Sequence, residues 1–175
     1  NKHLNFDRGV VMLANKDRTR LVFRAGYGIT DEQQDFLRQN SLHLDKPHSK
    51  GPLVRAFKEK EPYFIEDVSM IFDDLSQRSQ TILKFSQSTS FICVPIVFEE
   101  ESLGVLAVDK VNLSKTPLRQ NDLNLLKGIA PQIAISIMNA RSYERLQASE
   151  EKYRDLVESA NSIIMRLDTQ GRISF

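Results

Sequence analysis

The chain has 175 residues, enough for one domain of ordinary size and a substantial extension. A hydrophobic share of 41% supports a packed core and excludes wholesale disorder. With 24 Lys and Arg against 23 Asp and Glu, the net charge of +1 offers no electrostatic ground for a nucleic-acid or membrane-surface partner.

Residues Gly9 to Ala14 form an apolar run rich in β-branched side chains, and Asn15 to Arg18 follow as a polar turn. Thr19 to Gly26 then reads as a second strand, so the two segments predict a β-hairpin ended by Gly26 and Gly28. Thr30 is placed to cap a helix, with Gln33 at the reciprocal capping position, Phe36 and Leu37 inward and a stop near Asn40. After a loop containing Pro47, Ser49 and Gly51, a short helix sets Leu53, Val54 and Phe57 on one face. Pro62 ends it, and Tyr63 to Ile65 reads as a strand closed by Glu66 and Asp67. Met70 to Gln87 carries a weak helical signal, the least specified stretch of the chain and the natural lid over any site. Its charges Asp73, Asp74 and Arg78 read as a solvated face.

Ser90 to Phe98 and Ser102 to Val111 are the strongest strands, a second hairpin across Glu99 to Glu101. Pro95 predicts an edge or a bulge within the first of them. Consecutive hairpins with helices between them predict an α+β fold, an antiparallel sheet with helices on its faces, rather than a doubly wound parallel sheet. Thr116 and Pro117 read as cap and first residue of one long helix, with Leu126, Ala130, Ile133, Ile137 and Ala140 as an apolar seam. A second seam of Asn139, Tyr143, Leu146 and Tyr153 takes over with an offset, and Gly128 and Pro131 interrupt the interior. A helix from Pro117 to about Ala160 would be roughly 60 Å long, which predicts pairing with a second copy or a frayed end.

This ordered set resembles the GAF domain family over roughly residues 5 to 145. The latter half carries the resemblance best: Phe-Ile-Cys-Val-Pro-Ile from Phe91, Leu-Gly-Val-Leu-Ala-Val from Leu103, and the helical Leu123 to Ala130. Pro62 to Val68 is similar to the family's strand ending in an acidic residue. GAF domains of cyclic-nucleotide phosphodiesterases carry an Asn-Lys…Phe…Asp-Glu signature. Here Asp109, Leu118 and Leu123 replace the Asn, Phe and Glu, while Lys110 and Asp122 are kept. The resemblance implies a structural clamp between Lys110 and Asp122, and does not carry over cyclic-nucleotide binding. Glu150 to Phe175 resembles the opening of a PAS domain: a helix, a strand over Ile163 to Leu167 and a turn over Asp168 to Gly171. The domain reading is therefore GAF over 1–145, its last helix continuing over 117–160 as a coiled-coil linker, and a PAS start over 150–175. No haem, flavin or other cofactor is assigned.

No glycine-rich phosphate loop, cysteine pair or His-Glu-x-x-His pattern is present, so no catalytic residue and no metal is assigned. His43, His48 and Asp45 lie together in a polar loop with no fourth ligand evident. Cys93 reads as a packed small hydrophobe, with a redox sensor and a bilin attachment point as the sharper alternatives. As the one cysteine it allows no internal disulfide and suits a reducing cytoplasm. No apolar run approaches the ~20 residues of a membrane span and no signal peptide opens the chain. Asn1 at the start, and Phe175 within what reads as a strand, suggest a piece of a longer protein.

The resemblance implies a small-molecule pocket between sheet and variable helices, with Asp67, Phe72, Leu75, Ile82, Phe85, Ser90 and Cys93 as its lining. The same mix of residues also suits a plain core with a polar rim. The function this implies is sensory, in a homodimeric bacterial signalling protein whose effector is a histidine kinase. A nucleotide or diguanylate cyclase effector and a ligand-free dimerisation scaffold are the alternatives.

Overall fold

The computed structural model describes residues 6–47, 49–111 and 117–166. Two units divide the chain, Asn1–Ile135 and Ser136–Phe175. The first contains β1 (Arg8–Ala14), β2 (Arg20–Tyr27), α1 (Asp31–Gln39), β3 (Leu42–His43), α2 (Pro52–Glu59), β4 (Tyr63–Ile65), α3 (Gln77–Ser86), β5 (Ser90–Phe98) and β6 (Glu101–Lys110). It also takes the first part of α4, which runs Gln120–Arg166. The six strands form one antiparallel sheet in the order β3-β2-β1-β6-β5-β4, the expected α+β layout. The two-residue β3 escaped the sequence reading because it is too short to show a period.

Local chemistry explains the hairpins. The Asn15 side-chain carbonyl accepts from the Thr19 and Arg20 amides, both at 2.9 Å, and holds the β1–β2 turn closed. Pro95 has a partner only in β6, since β4 pairs no further along β5 than Cys93, and a bulge follows between Ile96 and Val97. It therefore sits at a local edge beside a bulge, as a residue with no amide hydrogen must. Gly104 is required where β6 passes β1: a Cβ there would lie 2.2 Å from the Met12 carbonyl oxygen.

Strand alternation separates two packed layers. Met12, Ala14, Leu21, Phe91, Cys93, Val105 and Ala107 point to one face and join Val54, Ala56 and Phe57 of α2 in one core. On the opposite face Ile92, Val94, Ile96 and Val108 are equally buried, and the α4 stripe Leu123, Leu126, Ala130 and Ala134 is the helical surface left to cover them. The expected seam is thus right at Leu126 and Ala130, while Ile133 and Ile137 are half-buried and Ala140 is exposed.

Thr30 and Gln33 make the full capping box on α1, and Asn40 ends that helix. The stretch from Val68 to Ser86 is not one helix. It is two 3₁₀ turns, Val68–Met70 and Phe72–Asp74, followed by α3. Arg78 is not merely solvated either, because its Nη1 donates to the Ser41 carbonyl at 2.8 Å and ties α3 to the approach of β3. α4 starts at Gln120 rather than Pro117, and Thr116 lies outside the described residues. The Asp122 carboxylate accepts from the Arg119 amide at 2.7 Å, which fixes the helix start there.

In the second unit, residues 136–166 are helical and run through the interruptions expected at the PAS start. Ile163 to Arg166 were expected as a strand and are helix instead. Among the described residues no strand lies alongside them, so internal helical bonds are what satisfy their backbone groups. Residues 167–175, which include the expected turn, lie outside the described residues. Among the described residues no helix is long and apolar enough to cross a membrane.

Candidate functional site

Between the inner face of the sheet and helices α1, α2 and α3 lies a cavity of about 120 Å³. Its floor is Val10, Met12, Phe91 and Ala107, and its sides are Leu53 and Val54 of α2 and Ile29 ahead of α1. The roof is made where α1 meets α3: Phe36 and Phe85 stack with centroids 3.9 Å apart and planes 19° from parallel. Ile82 and Leu83 of α3 and Leu75 before it complete the apolar wall.

One end of the cavity is polar. Arg8 of β1 and Asp109 of β6 face each other in the sheet register and form a two-point ion pair, Nε to Oδ1 at 3.0 Å and Nη2 to Oδ2 at 2.5 Å. Their side chains are only 8% and 16% exposed. Ser88 accepts from Arg8 Nη2 at 3.2 Å and donates to Asp109, and Ser86 and Ser88 share a further hydroxyl contact of 2.8 Å. A buried charge pair is tolerated only when its remaining valences are met, and the two serines meet several of them.

Of the seven residues expected at a ligand site, Leu75, Ile82 and Phe85 line this cavity. The other four do not. Ser90 is opposite Lys110 in the register, on the face away from the cavity, and its buried hydroxyl has no hydrogen-bond partner among the described residues. Cys93 shares the cavity face but sits deeper, in the packed core, fully buried. Burial pushes its thiol up to about 12, so the reactive thiolate that a redox sensor needs is not formed. Phe72 packs on the same core from a 3₁₀ turn, with the Lys84 ammonium 5.3 Å from its ring centre. Asp67 caps the first of those turns, accepting from the Ser69 amide at 2.8 Å, and the Ser69 hydroxyl and amide hold its carboxyl below the usual carboxylate range.

The expected Lys110–Asp122 clamp is replaced by another. Lys110 Nζ lies 3.9 Å from Asp7 Oδ1, Asp122 holds the Arg119 amide, and no ion pair joins Lys110 to Asp122 among the described residues. The reason is register: Lys110 ends β6 beside the chain entering β1, and Asp7 arrives there before α4 begins. At the β3 edge of the sheet His43 Nδ1 and Asp45 Oδ1 are 3.1 Å apart, a contact that holds the Asp45 carboxyl below its ordinary range, while His48 lies outside the described residues.

The sequence reading missed Arg8, Ser86, Ser88 and Phe36 as site residues. Alternation along β5 was the available signal for one error, because Ser90 and Cys93 are three apart and must face opposite ways.

The cavity is smaller than the ~300–1,000 Å³ of ordinary cofactor and drug sites, too small as it stands for a cyclic nucleotide, haem or bilin. Similar architectures occur in proteins of several activities. A crystal structure of a methyl-accepting chemotaxis protein, residues 122 to 287, is 30% identical with a TM-score of 0.64 and covers 78% of this chain and 80% of its own. A domain assigned to a two-component sensor histidine kinase of Sinorhizobium meliloti 1021 is 21% identical with a TM-score of 0.60, covering 82% and 87%. The type II free methionine-R-sulfoxide reductase of Thermoplasma acidophilum shares the fold at 19% identity and a TM-score of 0.58, covering 79% and 82%. In sequence, Nitrogen fixation protein AnfA of Azotobacter vinelandii is 23% identical over 155 residues, which are 87% of this chain and 27% of that protein. The chain thus spans about a quarter of the length of that relative. The GAF domain profile matches residues 1–137, and with the sheet order and cavity above, this chain belongs to the GAF domain family.

Proposed function

We propose that this GAF domain is the sensory region of a bacterial signal-transduction protein, binding a small molecule in the cavity under α1 and α3 and passing its occupancy to α4. The observation that carries the reading is a preformed apolar cavity with one polar end, roofed by two helices that contain no fully buried residue. β6 bears Asp109 at the cavity and leads through residues 112–116 into α4, so a shift at the site is felt at the start of that helix.

In this reading the helix beyond Ile135 pairs with a second copy. Tyr143, Leu146, Tyr153 and Val157 fall three, seven and four residues apart, on one heptad seam interrupted at Glu150, and they are 70%, 67%, 71% and 46% exposed. The domain division is then GAF over 1–145, a linker helix over 117–160 and a PAS start over 150–175, with a histidine kinase as effector in the cytoplasm. Similarity to domains of a chemotaxis protein and a histidine kinase supports that class of output. The exposed stripe alone favours a second reading, a dimerisation scaffold with an idle cavity; a cyclase effector fits the same observations downstream.

Native mass spectrometry of the chain tests the choice. A dimer carrying an extra defined mass supports sensing. A dimer that never gains mass across a metabolite library supports the scaffold. A monomer at micromolar concentration overturns pairing through this helix.

A further inference from the structure

Resting on the reading of the cavity as a ligand site, the chemistry of its wall narrows what enters. Arg8 uses Nε and Nη2 on Asp109 and Ser88, and its third nitrogen, Nη1, has no hydrogen-bond partner among the described residues. In a side-on pair of this kind Nη1 points away from the carboxylate. Gln33, which also lines the cavity, uses its carbonyl oxygen on the Thr30 amide, leaving its NH₂ without a hydrogen-bond partner among the described residues. The nitrogens left over at the wall are therefore donors, and a ligand must bring an acceptor to them.

Charge decides which acceptor. The guanidinium is already neutralised by Asp109, and that carboxylate is reinforced by Ser88. A second anion would leave net negative charge in an otherwise apolar, partly enclosed space, at the desolvation cost that burial of an uncompensated charge carries. Volume decides the size. An apolar cavity of ~150 Å³ holds benzene, so about 120 Å³ holds about five or six non-hydrogen atoms. We propose that the cavity takes a small neutral carbonyl compound, its apolar body under the Phe36–Phe85 roof and its oxygen accepting from Arg8 Nη1.

The test uses the whole ¹⁵N-labelled chain and three probes of equal heavy-atom count: 2-pentanone, 2-methylpentane and butyrate. Each is titrated into the natural chain and into Arg8→Lys, which keeps a cation for Asp109 but lacks Nη1. The ketone is expected to shift cavity amides and to bind Arg8→Lys about tenfold more weakly, the worth of one charge-assisted hydrogen bond, while the hydrocarbon binds both proteins equally. Should Arg8→Lys fold poorly, the double variant Arg8→Met with Asp109→Leu replaces the pair by apolar groups, and it should lose the ketone and keep the hydrocarbon. If ketone affinity is the same in all folded variants, or if butyrate binds more tightly than the ketone, the inference is overturned while the cavity remains a site. If no probe enters at millimolar concentration, the inference and the proposed ligand site fall together.

Discussion

Helices α2 and α3 lie over the same face of the sheet and have opposite characters. α2 buries Val54, Ala56 and Phe57 in one core cluster with Cys93 and Val105. α3 buries nothing completely, rests on Ile82 and Leu83, and is held by one aromatic stack and two side-chain bonds to distant backbone, Arg78 to Ser41 and Gln80 to Phe72. Beneath α2 the sheet face is apolar, whereas at the chamber it also carries the Arg8–Asp109 pair, so sheet and helices both contribute to the difference. One sheet face can thus be a rigid core at one end and an openable chamber at the other, the arrangement that lets a ligand enter without loosening the domain.

Truncation on the two sides measures that contrast. Phe57→Ala leaves a hole in the closed core and is expected to cost about 3–5 kcal/mol in urea unfolding. Phe85→Ala removes one ring of a half-open stack and should cost about 1 kcal/mol. Equal losses would show α3 to be as much a part of the core as α2. At the polar end of the chamber, Arg8→Ala leaves the Asp109 carboxylate buried without its cation, and a loss of about 3–5 kcal/mol is expected, although the cavity itself is apolar. Retention of stability in that variant would mean that water reaches Asp109 and that the chamber is already open.

The contrast also explains what was legible in the sequence. The strong strands, the capping box at Thr30 and the α2 face of Leu53, Val54 and Phe57 were readable because burial there follows a strict period. Met70 to Gln87 gave a weak signal, and the structure breaks it into two 3₁₀ turns and a helix without a buried residue. Low periodicity and low burial have the same cause. Arg8 was invisible, because the partner that makes it a site residue is 101 positions away and only the β1–β6 register brings the two together. Asp109 stood out as a departure from a family signature, yet its role followed only from that register. The Lys110–Asp122 pairing failed for the same reason, since Asp7 arrives through the fold rather than through the sequence.

Cys93 reports on the closed end. The unfolded chain gives up its thiol proton above the ordinary value of 9.0, and the folded chain holds it to about 12. The unfolded state therefore binds fewer protons than the folded state across that window, and stability falls as pH rises through it. Between pH 8 and pH 10 the natural chain is expected to lose about 1.4 kcal/mol more than Cys93→Ala, read from urea midpoints at both values. Alkylation by iodoacetamide at pH 8 should track global unfolding. A thiol that reacts in the folded chain would mean that the α2 end opens too.

The finest test separates local from global opening. Ser76 caps α3, its hydroxyl accepting from the Ser79 amide at 3.3 Å, whereas α2 begins at Gly51 with no side-chain cap. α2 needs none because burial holds it, while α3 depends on local bonds. Ser76→Ala should cost about 1 kcal/mol. If α3 opens on its own, that cost accelerates hydrogen exchange over Gln77 to Ser86 about fivefold and leaves exchange in β5 and β6 unchanged. If α3 opens only when the whole domain unfolds, the same loss appears in every slow amide and in the urea midpoint. Selective acceleration in α3 would identify it as the gate of the chamber, with α2 as the fixed wall against which the gate closes.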